Sequence, residues 1–151
     1  MFLEKINIVL ADDDIDDCNF FKEALDELPV SAHLTTVHDG EKLMQLLTKN
    51  ANPLPDVLFL DLNMPRKNGF DCLVEIKRNA NLKSLPVIIF STSFEQEVAN
   101  LLYKNGAQHY IRKPSHFSQL KNIIYHTLTI IRNNNFVQPS KDKFVIFSKQ
   151  Y

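Results

Sequence analysis

Polar residues stand where the apolar runs of this chain stop. Asp12 and Asp13 follow Ile6–Leu10, Asp61 closes Val57–Leu60, Ser91 follows Pro86–Phe90, and Lys113 follows His109–Arg112. Three carboxylates brought together repel one another, and protonation is favoured unless a cation sits among them. An all-oxygen set with few protein ligands and room for water suits Mg²⁺, whereas Zn²⁺ would want His or Cys. A carboxylate beside such an ion and a lysine can attack phosphorus and form an acyl phosphate. Phosphoryl transfer needs positioning and neutralisation of the equatorial oxygens more than covalent help. Mg²⁺, Lys113 and the Ser91 hydroxyl would each serve one oxygen.

Taken singly, each residue has a plainer reading. Asp61 alone is a metal ligand, a nucleophile or a helix cap; Lys113 alone is a surface lysine, and Ser91 alone a turn hydroxyl. The plain reading, a cap or a solvated acid, is kept for Asp14, Asp16, Asp17 and Asp56. The joint placement at strand ends separates the first set from these.

The elements that must position them follow from hydrophobic spacing. Val57–Leu60 is a short continuous apolar run closed by Asn63, Met64, Pro65 and Gly69, the pattern of a buried strand in a parallel sheet. Pro65 stops the strand, and Gly69 supplies a loop residue able to take positive φ. Ile6–Leu10 and Pro86–Phe90 read as further buried strands, His109–Arg112 as a short one, and Leu34–Val37 as a weaker one suited to an edge. Helical spacing runs from Asp14, a fitting N-cap, through Leu28, then over Glu41–Lys49, from about Phe70, over Glu95–Asn105 with Gly106 beyond it, and over Phe117–Arg132. This βαβαβαβαβα order predicts an α/β fold, a doubly wound five-stranded parallel sheet whose carboxyl-end residues share one edge.

The bulk composition excludes several classes. The chain has 151 residues, 44% hydrophobic, with a net charge of −1, so one domain with a real core is expected and no global field favours nucleic acid or an anionic membrane. Cys18 and Cys72 lack metal-ligand spacing and read as buried thiols of a reducing compartment. The N-terminus turns acidic too early for a signal peptide, so a cytoplasmic protein is expected. The five histidines form no ligand pattern and are expected at surface or half-buried positions.

The motifs VLADDD, FLDLNMPRKNG, LPVIIFSTS and HYIRKP, in that order, resemble the receiver domains of two-component response regulators, the family of the chemotaxis regulator. The resemblance spans about Lys5–Arg132. It implies a flavodoxin-like strand order 2-1-3-4-5, which comes with the family and which spacing alone leaves open. It also implies that Asp61 is the phosphoacceptor, and that Asp12, Asp13, Asp61 and the backbone carbonyl of Asn63 hold Mg²⁺, Asp12 mostly through water. Ser91, Thr92 and Lys113 would bind the phosphate, with Thr92 standing where a smaller residue is usual. Ser91 and Tyr110 would form the switch, the Tyr110 ring turning from exposed to buried. The Lys113–Pro114 peptide is expected to be cis, so that Lys113 aims back over the site.

The resemblance further implies a phosphoacceptor with self-catalysed phosphorylation and dephosphorylation, not a turnover enzyme. Its partners would be a sensor histidine kinase or phosphotransfer protein and a downstream protein, with no direct nucleic acid and no membrane. A haloacid-dehalogenase-like phosphatase also uses an Asp nucleophile with Mg²⁺, but it carries a second Asp two residues on, where this chain has Asn63. The three glycines make no phosphate cradle for a flavodoxin-like cofactor. The expected boundaries are a receiver domain over 1–133 and a C-terminal tail over 134–151 with no separate output domain. In that tail Phe144–Phe147 is expected to pack as an extended segment on the domain surface or across a dimer. A homodimer could form through the face made by the fourth helix, fifth strand and last helix, or through the tail.

Overall fold

The computed structural model describes residues 5–49, 53–133 and 137–147. Its elements run β1 (Ile6–Ala11), α1 (Ile15–Asp26), β2 (Ala32–Val37), α2 (Gly40–Thr48), β3 (Val57–Leu60) and α3 (Gly69–Arg78). They continue with β4 (Val87–Ser91), α4 (Gln96–Lys104), β5 (His109–Arg112), α5 (Phe117–Asn133), a 3-10 turn (Lys141–Lys143) and β6 (Val145–Ile146). The sheet order is β2-β1-β3-β4-β5-β6, every neighbour parallel. The flavodoxin-like order 2-1-3-4-5 is present, and the expectation of five strands is corrected by β6 on the edge of β5.

The strands lack polar alternation because both faces are covered. Val9, Ala11, Leu58, Leu60, Val87 and Ile89 pack against α2, α3 and α4, while Ile8, Leu10, Phe59, Ile88, Phe90 and Ile111 pack against α1 and α5. Each strand therefore feeds two cores, which parallel sheets require. β2, which has no buried residue and exposes His33 and Thr36, lies at the open edge, as its threonines suggest. Helix starts are fixed by short polar caps: Asp14 accepts from Asp17 N at 3.1 Å, Asp39 from Lys42 N at 2.8 Å, and Asn68 from Asp71 N at 2.8 Å.

Two glycines differ in role. Gly106 takes φ +96° just past α4, the left-handed residue that ends a helix. Gly69 does not take positive φ; in that loop Arg66 does, at 69°. Gly69 is needed for close approach instead, since a Cβ there would lie 2.1 Å from the Asp61 carbonyl oxygen. The start of α3 thus packs directly on the backbone that carries Asp61.

Past residue 136 the chain crosses the end of α4 and reaches β5. Gln138 Nε2 donates to the carbonyls of Tyr103 at 2.9 Å and Ala107 at 2.7 Å, and Tyr103 Oη donates to Pro139 O at 2.8 Å. Phe144 is 2% exposed and meets Tyr103 edge-on at 5.2 Å. Its carbonyl accepts from Tyr110 N at 3.1 Å and lies 3.1 Å from His109 Nδ1. Of the expected extended segment Phe144–Phe147, only Val145–Ile146 form a strand, on the domain's own sheet; Phe144 ends the 3-10 turn in helical conformation, and Phe147 stays exposed. His109, expected at a surface or half-buried position, is fully buried because this segment covers β5; burial pushes its imidazole pKa down. Asn50, Asn134, Asn135 and Tyr151 lie outside the described residues. Among those described, no helix is long and apolar enough to cross a membrane.

Candidate functional site

The register of the sheet assembles the site. Ala11 and Leu60 are partners across β1 and β3, so the next residues, Asp12 and Asp61, emerge side by side at the carboxyl edge. Asp61 N donates to Ala11 O at 2.9 Å, and Asp12 N to Val37 O at 3.0 Å. Ser91 ends β4, and its carbonyl accepts from Lys113 N at 2.7 Å just beyond β5. Four strand ends therefore deliver Asp12, Asp61, Ser91 and Lys113 to one place.

Asp12 is fully buried. Its Oδ1 accepts from Asp14 N at 3.0 Å, and its Oδ2 from the Lys113 ammonium at 2.6 Å. Asp61 is 7% exposed. Its Oδ1 accepts from Leu62 N at 2.8 Å, while its Oδ2 faces Lys113 Nζ at 3.6 Å. Asp13 is exposed to water, and one oxygen each of Asp12, Asp13 and Asp61 lie within 4.8 Å of one another. This donor set contains no nitrogen or sulfur and one open, wet side, which fits a hard divalent cation that keeps some of its water.

The electrostatics follow from the burial. Desolvation pushes the Asp61 carboxyl up to about 6, the Asp12 charge adding to that and the Lys113 ammonium and Leu62 N–H opposing it. Burial alone would lower Lys113, but its hydrogen bonds to Asp12 and Asp17 and the fields of Asp12 and Asp61 outweigh it, so the ammonium is held above its ordinary value. One cation thus serves three carboxylates, a shortage a divalent ion would relieve.

The Lys113–Pro114 peptide is trans, like every described peptide bond, and the cis expectation is corrected. Lys113 already reaches Asp12 and Asp17 from a trans peptide while its N–H binds Ser91 O, so the geometry asks for nothing costlier than the preferred isomer. Tyr110 departs from expectation too. Its ring is 1% exposed, Phe94 packs on it edge-on at 5.3 Å, and its hydroxyl donates to Ser93 O. The ring is already turned inward, and the Tyr110 backbone pairs with β6. Ser91 is fully buried, with Oγ 3.3 Å from Ser93 Oγ. Asn63 and Thr92 are exposed beside the site, and the Thr92 carbonyl accepts from Arg112 Nε at 3.2 Å.

Among the acids read as caps or solvated, Asp14 caps α1 and Asp56 accepts from Asn7 N at 2.7 Å. Asp17 is different: its Oδ2 accepts from Lys113 Nζ at 2.9 Å. Sequence reasoning missed it because three acids, Asp14, Asp16 and Asp17, crowd the start of α1 and charge alone does not say which one faces Lys113. A larger groove of about 680 Å³ lies at the opposite, amino-terminal edge of the strands, lined by Pro55, Lys77, Lys83, Pro86 and Gln108. Asp56 lines it, whereas Asp12, Asp13 and Asp61 do not.

Residues 8–125 match the family described as the response regulator receiver domain. The chain belongs to this family. Among relatives, this receiver is 30% identical to the response regulator Rcp1 of Synechocystis sp., over 75% of this chain and 80% of that one. It is 26% identical to a probable chemotaxis protein CheY of Rhizobium etli, over 78% and 88%. Among solved structures it resembles the phosphorylated cyanobacterial phytochrome response regulator RcpA, with TM-score 0.77 and 33% identity over 91% of this chain and all of that one. It also resembles the Mn(2+)-bound form of Rcp1, with TM-score 0.74 and 26% identity over 89% and 99%. The fold and the two-component setting of this receiver are therefore those of its relatives.

Proposed function

We propose that this receiver accepts a phosphoryl group on Asp61 from a histidine kinase or phosphotransfer protein and signals by protein contact. The observation that carries the reading is the setting of Asp61: carboxylate oxygens of Asp12 and Asp13 within 4.8 Å, and the Lys113 ammonium at 3.6 Å. With Oδ1 engaged by the Leu62 N–H, Oδ2 is the oxygen that attacks phosphorus. A bond forms between Oδ2 and phosphorus. The bond from phosphorus to the donor's imidazole nitrogen breaks, and that nitrogen leaves with the electron pair and takes a proton from water. Asp12, Asp13, Asp61 and the backbone carbonyl of Asn63 would hold Mg²⁺, which when bound neutralises charge on the phosphoryl oxygens. Lys113 stays an ammonium throughout and donates to a phosphoryl oxygen. The Ser91 hydroxyl and the Thr92 backbone serve the remaining oxygens.

The chain acts as a phosphoacceptor that catalyses its own phosphorylation and hydrolysis, in the cytoplasm, with no nucleic-acid contact of its own. Movement of Ser91 toward the phosphate is passed to Ser93 and so to Tyr110, which lies under the face made by α4, β5 and α5. A downstream protein, or a second copy of the chain, reads that face. Residues 1–133 form the receiver unit, and those from 134 on an appendage to it.

The test is incubation with acetyl phosphate and Mg²⁺, followed by intact mass and peptide mapping. The expected result is one added phosphoryl group on Asp61, abolished in Asp61→Asn. Phosphate mapping to another residue with Asp61 unmodified would overturn the reading. Nuclear magnetic resonance with beryllofluoride should move signals of Ser91, Ser93 and Tyr110; unmoved signals would remove the switch from the proposal.

A further inference from the structure

The Lys113 ammonium has three N–H donors and two committed partners, Asp12 Oδ2 at 2.6 Å and Asp17 Oδ2 at 2.9 Å; Asp61 Oδ2, at 3.6 Å, lies outside hydrogen-bonding reach. Asp12 and Asp61 belong to the phosphoryl site on any reading of it. Asp17 does not: it sits in the first turn of α1, held by the hydrogen bond from its N–H to the cap Asp14. Its contact with Lys113 joins residues 96 positions apart.

The two partners differ in how easily they can let go. The Asp12 side chain is wholly excluded from water, and that of Asp17 is 36% exposed. If the ammonium leaves Asp12, a buried charge loses its counter-charge, which is strongly unfavourable. If it leaves Asp17, water takes its place. The Asp17 bond is also the longer of the two. The third Lys113 N–H is free among the described residues, but with Asp61 Oδ2 at 3.6 Å the ammonium has to shift toward a phosphoryl group there, and of its two partners Asp17 is the one that can yield.

We infer that Asp17 is a positioning residue that holds Lys113 back in the resting receiver and surrenders it as phosphate reaches Asp61, so that Asp17 restrains the rate of phosphorylation. This rests on the phosphoacceptor reading above. The consequence is one-sided. An interaction made in the ground state and lost in the transition state slows the step that starts from that ground state. Phosphorylation starts with Lys113 on Asp17. Hydrolysis of the aspartyl phosphate starts with Lys113 already on the phosphoryl group, so Asp17 has no further hold on it. In neither step does Lys113 or Asp17 gain or lose a proton.

The experiment compares wild type, Asp17→Asn and Asp16→Asn in the full chain with acetyl phosphate and Mg²⁺, timing phosphorylation and, after donor removal, hydrolysis. Asp16 is exposed on the same turn, so Asp16→Asn measures the general effect of removing one negative charge near an anionic donor. Loss of a partly exposed ion pair should speed phosphorylation by about five-fold in Asp17→Asn. Asp16→Asn should change it by less than about two-fold, and hydrolysis should be unchanged in both. Equal rates in the two variants, slower phosphorylation in Asp17→Asn, or hydrolysis rising in step with phosphorylation would each overturn the inference.

A second readout needs no phosphate. The Lys113 ammonium protons, protected from exchange by two carboxylates, should give a nitrogen-15 signal in wild type and Asp16→Asn that shifts or broadens away in Asp17→Asn. An unmoved Lys113 signal overturns the tether whatever the kinetics. Failure of wild type to take phosphate on Asp61 would defeat the phosphoacceptor reading, and the Lys113 signal would still decide the tether separately.

Discussion

Phe144→Ala tests whether the segment beyond α5 belongs to the folded receiver. The ring is 2% exposed and lies against Tyr103 at 5.2 Å, with ring planes at 70°. Truncating a fully buried Phe removes its transfer free energy and leaves a cavity, together about 3–5 kcal/mol in a closed core. The edge-on aromatic pair accounts for about 0.5–1.5 kcal/mol of such a loss. The site here can relax, because residues 137–147 are an edge element and can undock as a unit. The loss is therefore capped by the free energy of docking that segment, and about 2–4 kcal/mol is expected. At about 2–4 °C per kcal/mol for a domain of this size, the melting temperature should fall by roughly 4–16 °C. Urea unfolding followed by circular dichroism is the assay, since the chain has no tryptophan. Val137→Ala, at a residue 65% exposed, is the control and should change stability by no more than about 0.5 kcal/mol. Hydrogen exchange adds a local readout. The Tyr110 amide donates to Phe144 O and should lose protection in Phe144→Ala. A loss below about 1 kcal/mol, with the Tyr110 amide still protected, would show that burial of this ring does not hold the segment and refute the reasoning.

Three further outcomes follow from the site. Burial raises Asp61 from 3.8 to about 6, so its contribution favours the folded state below the lower value and is lost as pH rises through the upper one. Mg²⁺ relieves that loss and should raise the melting temperature more at pH about 7.5 than at pH about 5; equal shifts at both would show that Asp61 is not the group responsible. By the same sign Asp61→Asn, which removes the charge and almost no volume, should be more stable than wild type in Mg²⁺-free buffer at neutral pH; a less stable variant would contradict the desolvation argument. Gly69→Ala places a Cβ 2.1 Å from the Asp61 carbonyl oxygen and 2.9 Å from Leu62 Cα, both backbone, so a cost of about 1–3 kcal/mol and slower phosphorylation are expected; wild-type values for both would mean that α3 moves freely relative to Asp61.

The legible part of this molecule is the part set by long-range pattern. Val57–Leu60 and Pro86–Phe90 can be read as buried strands because every residue is apolar, and parallel strands put their carboxyl ends together whatever the loops do. Asp12, Asp61, Ser91 and Lys113 can therefore be placed from the sequence. What escapes is set by contact geometry at single atoms. Nothing in the sequence says that Asp17 faces Lys113 while Asp16 faces water, because both suit the first turn of a helix. Nothing distinguishes a glycine needed for positive φ from one needed for close approach, so Gly69 is given the role that Arg66 fills.

The sixth strand shows the same limit and its consequence. Two residues have no period, and Val145–Ile146 can be noticed only as part of an apolar cluster with Phe144 and Phe147. Once seated, the segment changes the reading of residues far from it in sequence. It buries His109, expected at a surface or half-buried position, and it pairs with Tyr110, whose hydroxyl in turn donates to Ser93 O. Tyr110 thus has its amide on the added strand and its hydroxyl two residues from Ser91. A switch at Ser91 and a segment docked on β5 therefore act on the same side chain. With the ring already inside and covered, phosphorylation has no exposed Tyr110 left to bury. On the phosphoacceptor proposal its effect would pass through the Ser91–Ser93–Tyr110 hydrogen bonds to the strand paired with Tyr110. The beryllofluoride spectra separate the two cases: signals of Phe144 and Val145 move together with Ser93 if the strand reads the site, and stay in place if the path ends at Tyr110.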